Sequence, residues 1–259
     1  SEINPKYSVI SVGKNVIKDY SNRLTIKFGK KYSTSLLYKI KQFYSIIEKV
    51  PTLSGKLTWS HWYEMLSFDD INKIIYYVNQ CEVYNLDVRK LRNRIKSNEY
   101  ERLPVDARNK LKSKDELNII DFVKNPIHIK NSENKELISE KILQKIILED
   151  IPSFLEELGE GFTFIKNEYK IKIDDRYNYI DLLLYNIKYK CYVVVELKVT
   201  ELKKEHTGQI MTYMNYIDNN IKTIEENDTV GIIICKQDNE YVIKYCSDDR
   251  IIAREYEFV

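Results

Sequence analysis

A change in the spacing of apolar residues near residue 125 constrains the fold of this 259-residue chain more than any other feature. Before that point, apolar residues recur at the spacing of amphipathic helices. After it, runs rich in β-branched and aromatic residues follow one another as strands do, over 162–173, 177–185 and 191–199. A polar stretch that contains Asn125-Pro126 separates the two patterns. The sequence therefore predicts two domains, residues 1–124 and residues 125–259.

The first domain is predicted to be all-α. Ser33, Thr58, the pair Asp69-Asp70 and Asp87 each precede a segment of helical spacing, and these residue types are preferred at helix N-termini. Short helices with tight turns and basic outer faces are what a helix-turn-helix-like module needs to contact phosphate. A plain helical bundle with solvated lysines is the alternative.

The second domain is predicted to be an α/β layer. A helix from about Ser132 to Leu158, kinked at Pro152, precedes the three strands. A helix from about Lys203 to Asn219, an apolar strand over 230–235 and a final strand near 241–245 follow. This order predicts helices that flank a mixed sheet.

Charge is divided unequally between the two domains. Residues 1–124 carry 23 Lys and Arg against 14 Asp and Glu, a net charge of +9, whereas residues 125–259 carry −7. This asymmetry indicates that the basic half binds a polyanion such as nucleic acid, and that the acidic half has a different function. No apolar run approaches the roughly 20 residues of a membrane span, and the four cysteines lack the spacing of a zinc or redox motif. We expect a soluble, cytoplasmic protein.

Three charged residues lie inside otherwise apolar strands: Asp181 in YIDLLLYN, and Glu196 and Lys198 in VVVELKV. Such charges are costly unless they are paired or bind a cation. A turn near 186–190 would place Asp181 roughly level with Glu196. Two adjoining carboxylates favour a hard cation such as Mg²⁺, with the Leu197 carbonyl as a further ligand. Lys198 would then orient or help to deprotonate a water.

The alternative for these three residues is a structural ion pair at the rim of a sheet. The histidines offer no competing metal site, because His61, His128 and His206 are scattered along the chain. We expect His61, which lies among aromatic residues, to be packed or to cap a helix.

The chain resembles the YhcG-like family of bacterial proteins, whose C-terminal half is a nuclease domain of the PD-(D/E)XK superfamily. The resemblance rests on blocks spread along nearly the whole chain: YSTSLLYKIKQFY (32–44), LTWSHWYEML (57–66), LDVRKLRNRI (86–95), YERL (100–103), FLEELGEGFTFIKNEY (154–169), YIDLLLYNIKYKCYVVVELK (179–198), EHTGQIMTYMNYID (205–218) and VGIIICK (230–236). It implies a restriction-endonuclease-like fold for the second domain.

The resemblance also implies a catalytic core of Asp181, Glu196 and Lys198. Glu140 matches a helix carboxylate that completes many such sites and would be a metal ligand, and Gln209 matches a polar residue that supports them. Position 144 is Gln where the family is expected to carry Glu, so the helix residue that reaches the metal stays open. The cofactor implied is Mg²⁺, with Mn²⁺ as a substitute.

The expected function is hydrolysis of DNA, more than of RNA, positioned by the basic helical domain. The candidate phosphate contacts are Arg89, Arg92 and Lys96 on one helix face and Lys39 and Lys41 on another. Two alternatives stay open: a binding or assembly module that keeps the nuclease fold without robust turnover, and an RNase in a defence or toxin–antitoxin role. Assembly as a homodimer also stays open.

Overall fold

The computed structural model of the chain describes residues 14–49, 55, 57–113, 117–132, 139–246 and 248–259. The chain divides into two compact units, one up to Tyr100 and one from Glu101 onwards. Residues 101–124 thus belong to the second unit by their contacts, and the domain boundary after residue 124 stays a prediction.

The first unit is helical in all of its described elements, as the sequence predicts. Its helices are α1 (Lys14–Phe28), α2 (Thr34–Lys49), α3 (Trp59–Met65), α4 (Ile71–Tyr84) and α5 (Val88–Lys96). The side chains of Ser33, Asp70 and Asp87 accept backbone N–H groups of the first turns of α2, α4 and α5. Thr58 precedes α3 but caps no backbone group with its side chain.

The second unit contains a mixed sheet with helices on both faces. Its elements are α6 (Val105–Ser113), a 3-10 turn (Ile119–Phe122), β1 (Ile127–Ile129), α7 (Glu140–Glu149), α8 (Ile151–Leu158), β2 (Phe162–Ile173), β3 (Arg176–Asn186), β4 (Cys191–Leu197), α9 (Lys204–Asn220), β5 (Asn227–Cys235), α10 (Glu240–Cys246) and β6 (Ile251–Phe258). The strand order is β1-β6-β5-β4-β3-β2. Strands β2, β3 and β4 are antiparallel neighbours, and β4, β5, β6 and β1 are parallel neighbours.

Two apolar clusters cover the two faces of this sheet. One contains Leu143 of α7 and Val195 of β4. The other contains Val194 of β4 and Met214 of α9. Successive residues of β4 therefore point to opposite clusters, as the period of a strand requires. A charged residue at position 196 consequently lies on the side of α9.

The long helix predicted from about Ser132 to Leu158 is two helices, α7 and α8, and residues 133–138 lie outside the described residues. The Asp150 side chain accepts the N–H of Ser153 at 3.2 Å, which begins α8. Pro152 lies in the first turn of α8, where its missing N–H costs no helical hydrogen bond. The proline therefore helps to start a helix instead of kinking one.

The strand predicted near 241–245 is wrong, because these residues form α10. Asn239 accepts the N–H of Val242 with its side chain, and its carbonyl accepts the N–H of Ile243. Val242 and Ile243, which are β-branched, lie on this helix and pack against the apolar cluster that contains Met214 of α9. Parallel strands β5 and β6 need a crossover connection, and α10 supplies it.

Residues 251–258 and residues 127–129 form strands, β6 and β1, that the sequence did not predict. β6 pairs with β1, so that His128 lies in a strand and not in the expected linker. Among the described residues, no helix is long and apolar enough to cross a bilayer.

Candidate active site

Asp181 and Glu196 meet where β3 and β4 run side by side. Leu182 pairs with Val195 in the antiparallel ladder, which places Asp181 beside the end of β4. The N–H of Leu197 donates to Asp181 Oδ2 at 2.8 Å. The hairpin thus brings the two carboxylates together, with Glu196 buried and Asp181 half-buried.

Glu196 is 2% exposed, and the two oxygens of its carboxylate have different surroundings. Oε1 accepts a hydrogen bond from Lys198 Nζ and another from Gln209 Nε2, each at 2.8 Å. Oε2 is buried and accepts no hydrogen bond from any described residue. A buried carboxylate oxygen without a donor is costly, so this atom is suited to a ligand.

Glu140 and Gln144 of α7 both reach the site, with different contacts. Glu140 Oε1 lies 3.6 Å from Lys198 Nζ. Gln144 is buried, and its Nε2 donates to the carbonyl oxygen of Asp181 at 2.9 Å. The amide of Gln144 therefore holds the β3 backbone, while the carboxylate of Glu140 is the helix group that faces the lysine.

An open cleft leads to Asp181. It is lined by Glu140, Lys141, Gln144, Glu168, Tyr179 and Asp181. The cleft gives an extended ligand a route to the carboxylates from the side of α7 and β2. Three carboxylates and one lysine are among the side chains that line it.

Burial dominates the titration of the two carboxylates. It raises the pKa of Glu196 to about 7, with the charge of Asp181 as the next cause. Burial also raises the pKa of Asp181, although the hydrogen bond from the Leu197 N–H opposes this rise. The positive charge near the two carboxylates is therefore too small to offset the cost of their burial. A bound cation would supply the missing positive charge.

For Lys198, neighbouring charges outweigh burial in their effect on the pKa. Burial lowers the pKa of its ammonium group, but the carboxylates of Glu196, Glu140 and Asp181 outweigh burial, and the pKa lies above the ordinary range of lysine. Lys198 is therefore held as a cation. In this state it can donate hydrogen bonds and neutralise developing negative charge, but it cannot accept a proton.

Two residues at the site were missed in the sequence. Glu168 has a left-handed backbone with φ of 46° and lines the cleft, and the β2–β3 register puts it between the pairs Asn167–Leu182 and Tyr169–Ile180. A hairpin turn at 174–175 would have placed it level with Asp181.

Tyr213 is the second residue that was missed. It accepts a hydrogen bond from Gln209 Nε2 at 3.1 Å, and the i, i+4 spacing of the two residues on α9 was the signal that could have identified it.

The candidate phosphate contacts lie in the first unit. Arg89, Arg92 and Lys96 are exposed on α5, whereas Lys39 and Lys41 are half-buried on α2. Arg92 donates two hydrogen bonds to Glu64, at 2.6 and 3.2 Å.

Glu64 also neutralises part of this basic surface. The hydrogen bond from Arg92 lowers the pKa of Glu64 against the effect of burial, and the charges of Lys39 and Lys96 lower it further. Lys39 Nζ lies 3.2 Å from the centroid of the Tyr63 ring. The charges of Arg92, Lys39 and Lys96 therefore act on one carboxylate that lies among them.

His61 and His206 form hydrogen bonds with groups other than the two carboxylates. His61 Nδ1 lies 2.8 Å from Thr58 Oγ1 and Nε2 lies 3.0 Å from the carbonyl oxygen of Leu86. His206 Nδ1 accepts the N–H of Lys203 at the start of α9. His61 thus bridges the start of α3 to the α4–α5 turn, as a packed or capping histidine does.

The chain is similar to known proteins along most of its length. Residues 120–258 match the family model described as the YhcG PDDEXK nuclease domain, and residues 2–102 match the DUF1016 N-terminal domain. The chain is 23% identical over 286 residues to the “Putative nuclease YhcG” of Escherichia coli (strain K12), covering 95% of this chain and 76% of that protein.

Two solved structures share weaker similarity with the chain. A repair endonuclease from Pyrococcus abyssi is 19% identical with a TM-score of 0.33, and 49% of each chain is covered. EndoMS in a complex with dsDNA is 17% identical with a TM-score of 0.34, covering 49% of this chain and 47% of that one. The alignments therefore span about half the length of each structure.

The first family match covers more than half of the chain and includes every residue of the site described above. The chain therefore belongs to the family of the YhcG PDDEXK nuclease domain, and its second unit is a nuclease domain of the PD-(D/E)XK type.

Proposed function

We propose that this chain hydrolyses the phosphodiester backbone of DNA with a divalent cation, Mg²⁺ or Mn²⁺, at the Asp181–Glu196–Lys198 site. The observation that carries the proposal is the Glu196 carboxylate, whose buried Oε2 has no donor among the described residues while Oε1 has two. A purely structural ion pair would gain nothing from a buried carboxylate oxygen that accepts no hydrogen bond.

The side chains present fit a hard divalent cation. Asp181 and Glu196 supply carboxylate oxygens, and Leu197 supplies a backbone carbonyl at the same end of β4. Among the described residues, no group of three or more His, Cys, Asp and Glu side chains is arranged to hold a metal ion. Mg²⁺ is commonly held by one or two carboxylates with water and substrate phosphate oxygens, so the pair matches that cation better than it matches Zn²⁺.

The bound cation would polarise the phosphoryl group and lower the pKa of a water. The residues of the chain do the remaining work. Lys198 stays charged beside Glu196, where it can orient the attacking water and neutralise charge at the phosphorus. Gln209 fixes the Glu196 carboxylate, and Gln144 fixes the β3 backbone at Asp181. Glu140 is our candidate for the helix ligand.

We further propose that the helical half, residues 1–124, binds the nucleic acid. The net charge of +9 in residues 1–124 supports this division, as does the exposure of Arg89, Arg92 and Lys96. We also propose that the protein acts in the reducing cytoplasm. Cys81, Cys191 and Cys235 support this location, because they are buried and form no disulfide. The homodimer stays a prediction.

The test is cleavage of labelled DNA and RNA, single- and double-stranded, with Mg²⁺, Mn²⁺ or EDTA. We expect cleavage of DNA with either cation and none in EDTA. Full activity after exhaustive chelation would exclude the metal mechanism, and cleavage of RNA alone would exclude the DNA substrate. A module that binds nucleic acid without cleaving it in any condition would support the alternative of an inactive nuclease fold.

The helix ligand is tested by a matched pair of variants on α7. Glu140→Gln removes a carboxylate near Lys198, and Gln144→Glu adds one beside the Asp181 carbonyl. We expect Glu140→Gln to lose most of the cleavage rate. Equal rates for Glu140→Gln and the unmodified chain would remove Glu140 from the site.

A further inference from the structure

The β2–β3 hairpin extends beyond the strand that carries Glu196. β3 pairs with β4 only from Leu182 to Asn186, whereas it pairs with β2 as far as Arg176. Residues 167–181 therefore form a two-stranded arm that begins at Asp181 and ends at the turn at 174–175. The arm continues the sheet past the catalytic end of β4.

The two faces of this arm differ in character. Ile171 and Ile180 are buried in the apolar cluster on the side of α9. The opposite face carries Lys170, which pairs with Tyr179, and Lys172, which pairs with Tyr177. Directly paired residues of antiparallel strands share a face, and alternate residues of one strand do so too. We call these four residues the arm face.

The arm face is exposed and continuous with the cleft. Tyr177 is 57% exposed and Tyr179 is 52% exposed, and Tyr179 lines the cleft together with Asp181. Lys170 Nζ lies 3.7 Å from the centroid of the Tyr177 ring. Lys172 pairs with Asp175 at 3.8 Å, but both side chains are so exposed that this ion pair contributes little. Cationic and aromatic groups thus lead directly to the proposed reaction centre.

Protection of a sheet edge explains only part of this composition. β2 is an edge strand, and lysines on edge strands discourage pairing with other chains. This role accounts for Lys170 and Lys172. It does not account for the two large aromatic side chains, Tyr177 and Tyr179, that are exposed on the same face.

We propose that the arm face binds unpaired nucleotides next to the scissile phosphate, with Tyr177 and Tyr179 stacking on bases and the lysines contacting phosphates. This inference rests on the proposed nuclease function and names its substrate class. Alternate residues of a strand are about 7 Å apart, roughly twice the 3.4 Å rise of stacked bases in a duplex. The two rings therefore suit bases that are separated from a continuous stack, as in a single strand.

The test compares two double variants that remove the same residue types. Tyr179→Leu/Lys170→Gln changes the arm face, and Tyr192→Leu/Lys190→Gln changes the other end of the β3–β4 hairpin. Both are made in the Lys198→Ala background, and binding of a labelled single strand and a blunt duplex of the same sequence is measured by fluorescence anisotropy. Thermal unfolding checks that each variant is folded, and Tyr179→Phe, which keeps the ring, is expected to bind as its parent does.

We expect the arm variant to raise the Kd for the single strand about tenfold or more and to change the Kd for the duplex less than twofold. The control should leave both unchanged. An unchanged single-strand Kd in the arm variant, or an equal loss in the control, would overturn the inference. Cleavage by the unmodified chain is measured on the same oligonucleotides, so that absence of all cleavage defeats the proposed function, whereas cleavage with an unaffected Kd defeats only the role of the arm.

Discussion

Replacing Glu196 by Gln should stabilise the second unit at alkaline pH in the absence of metal. In the folded chain the pKa of Glu196 is about 7, and burial is the main cause, whereas its ordinary value is 4.5. A carboxyl group whose pKa is raised by folding contributes stability when it is protonated, below about pH 4.5. That contribution is lost as the pH rises towards 7, because the unfolded chain releases the proton first.

The size of the effect follows from the shift. Each pKa unit corresponds to about 1.4 kcal/mol, so a shift from 4.5 to about 7 costs at most about 3 kcal/mol above pH 7. The Gln side chain cannot ionise, and its amide oxygen can still accept from Lys198 and Gln209. For a unit of this size, about 3 kcal/mol corresponds to roughly 6–12 °C in Tm, and we expect a gain of several degrees.

The assay is differential scanning calorimetry in EDTA at pH 5 and pH 8. Glu196→Gln should unfold several degrees above the unmodified chain at pH 8, and the difference should shrink to about a quarter of that at pH 5, where the folded chain keeps the proton but most unfolded chains have released it. The control is Glu225→Gln, which removes an exposed carboxyl group and should change neither curve. Added Mn²⁺ should stabilise the unmodified chain more than the variant. A variant that is no more stable than its parent at pH 8 would refute the reasoning that this carboxylate is buried without compensation.

Two further predictions concern the metal and the helical half. Asp181→Asn should lower the affinity for Mn²⁺ at least tenfold in a titration followed by electron paramagnetic resonance, because it removes one of the two strand carboxylates at the site; unchanged affinity would place the cation elsewhere. The triple variant Arg89→Ala/Arg92→Ala/Lys96→Ala should weaken binding to all DNA sequences about equally and lower the log–log salt slope by roughly 0.9 for each phosphate that the protein no longer neutralises. Unchanged affinity and slope would show that these side chains are solvated bundle surface.

The carboxylate pair could be predicted from sequence because strand geometry leaves little freedom. The two apolar runs are joined by a short turn, so a hairpin fixes which residues are neighbours. Charges inside such runs stand out against their surroundings, as Asp181 and Glu196 do. The observed register places them together for that reason.

The remaining contacts depend on tertiary packing that periodicity does not encode. The β-branched residues Val242 and Ile243 have strand propensity, yet the parallel neighbours β5 and β6 require a crossover, and a helix supplies it. The hydrogen bond from Gln144 to the Asp181 carbonyl joins residues 37 positions apart. The pairing of Arg92 with Glu64 likewise depends on how α3 packs against α5.

The most direct test of the account is single-turnover cleavage of end-labelled DNA in Mg²⁺ by the unmodified chain, by Lys198→Ala and by the control Lys190→Gln. Lys198 is buried between Glu196 and Glu140, whereas Lys190 is exposed in the β3–β4 turn. We predict that Lys198→Ala slows cleavage about a hundredfold or more, while Lys190→Gln cleaves at the rate of the unmodified chain. Cleavage by Lys198→Ala at the unmodified rate would contradict the assignment of this site.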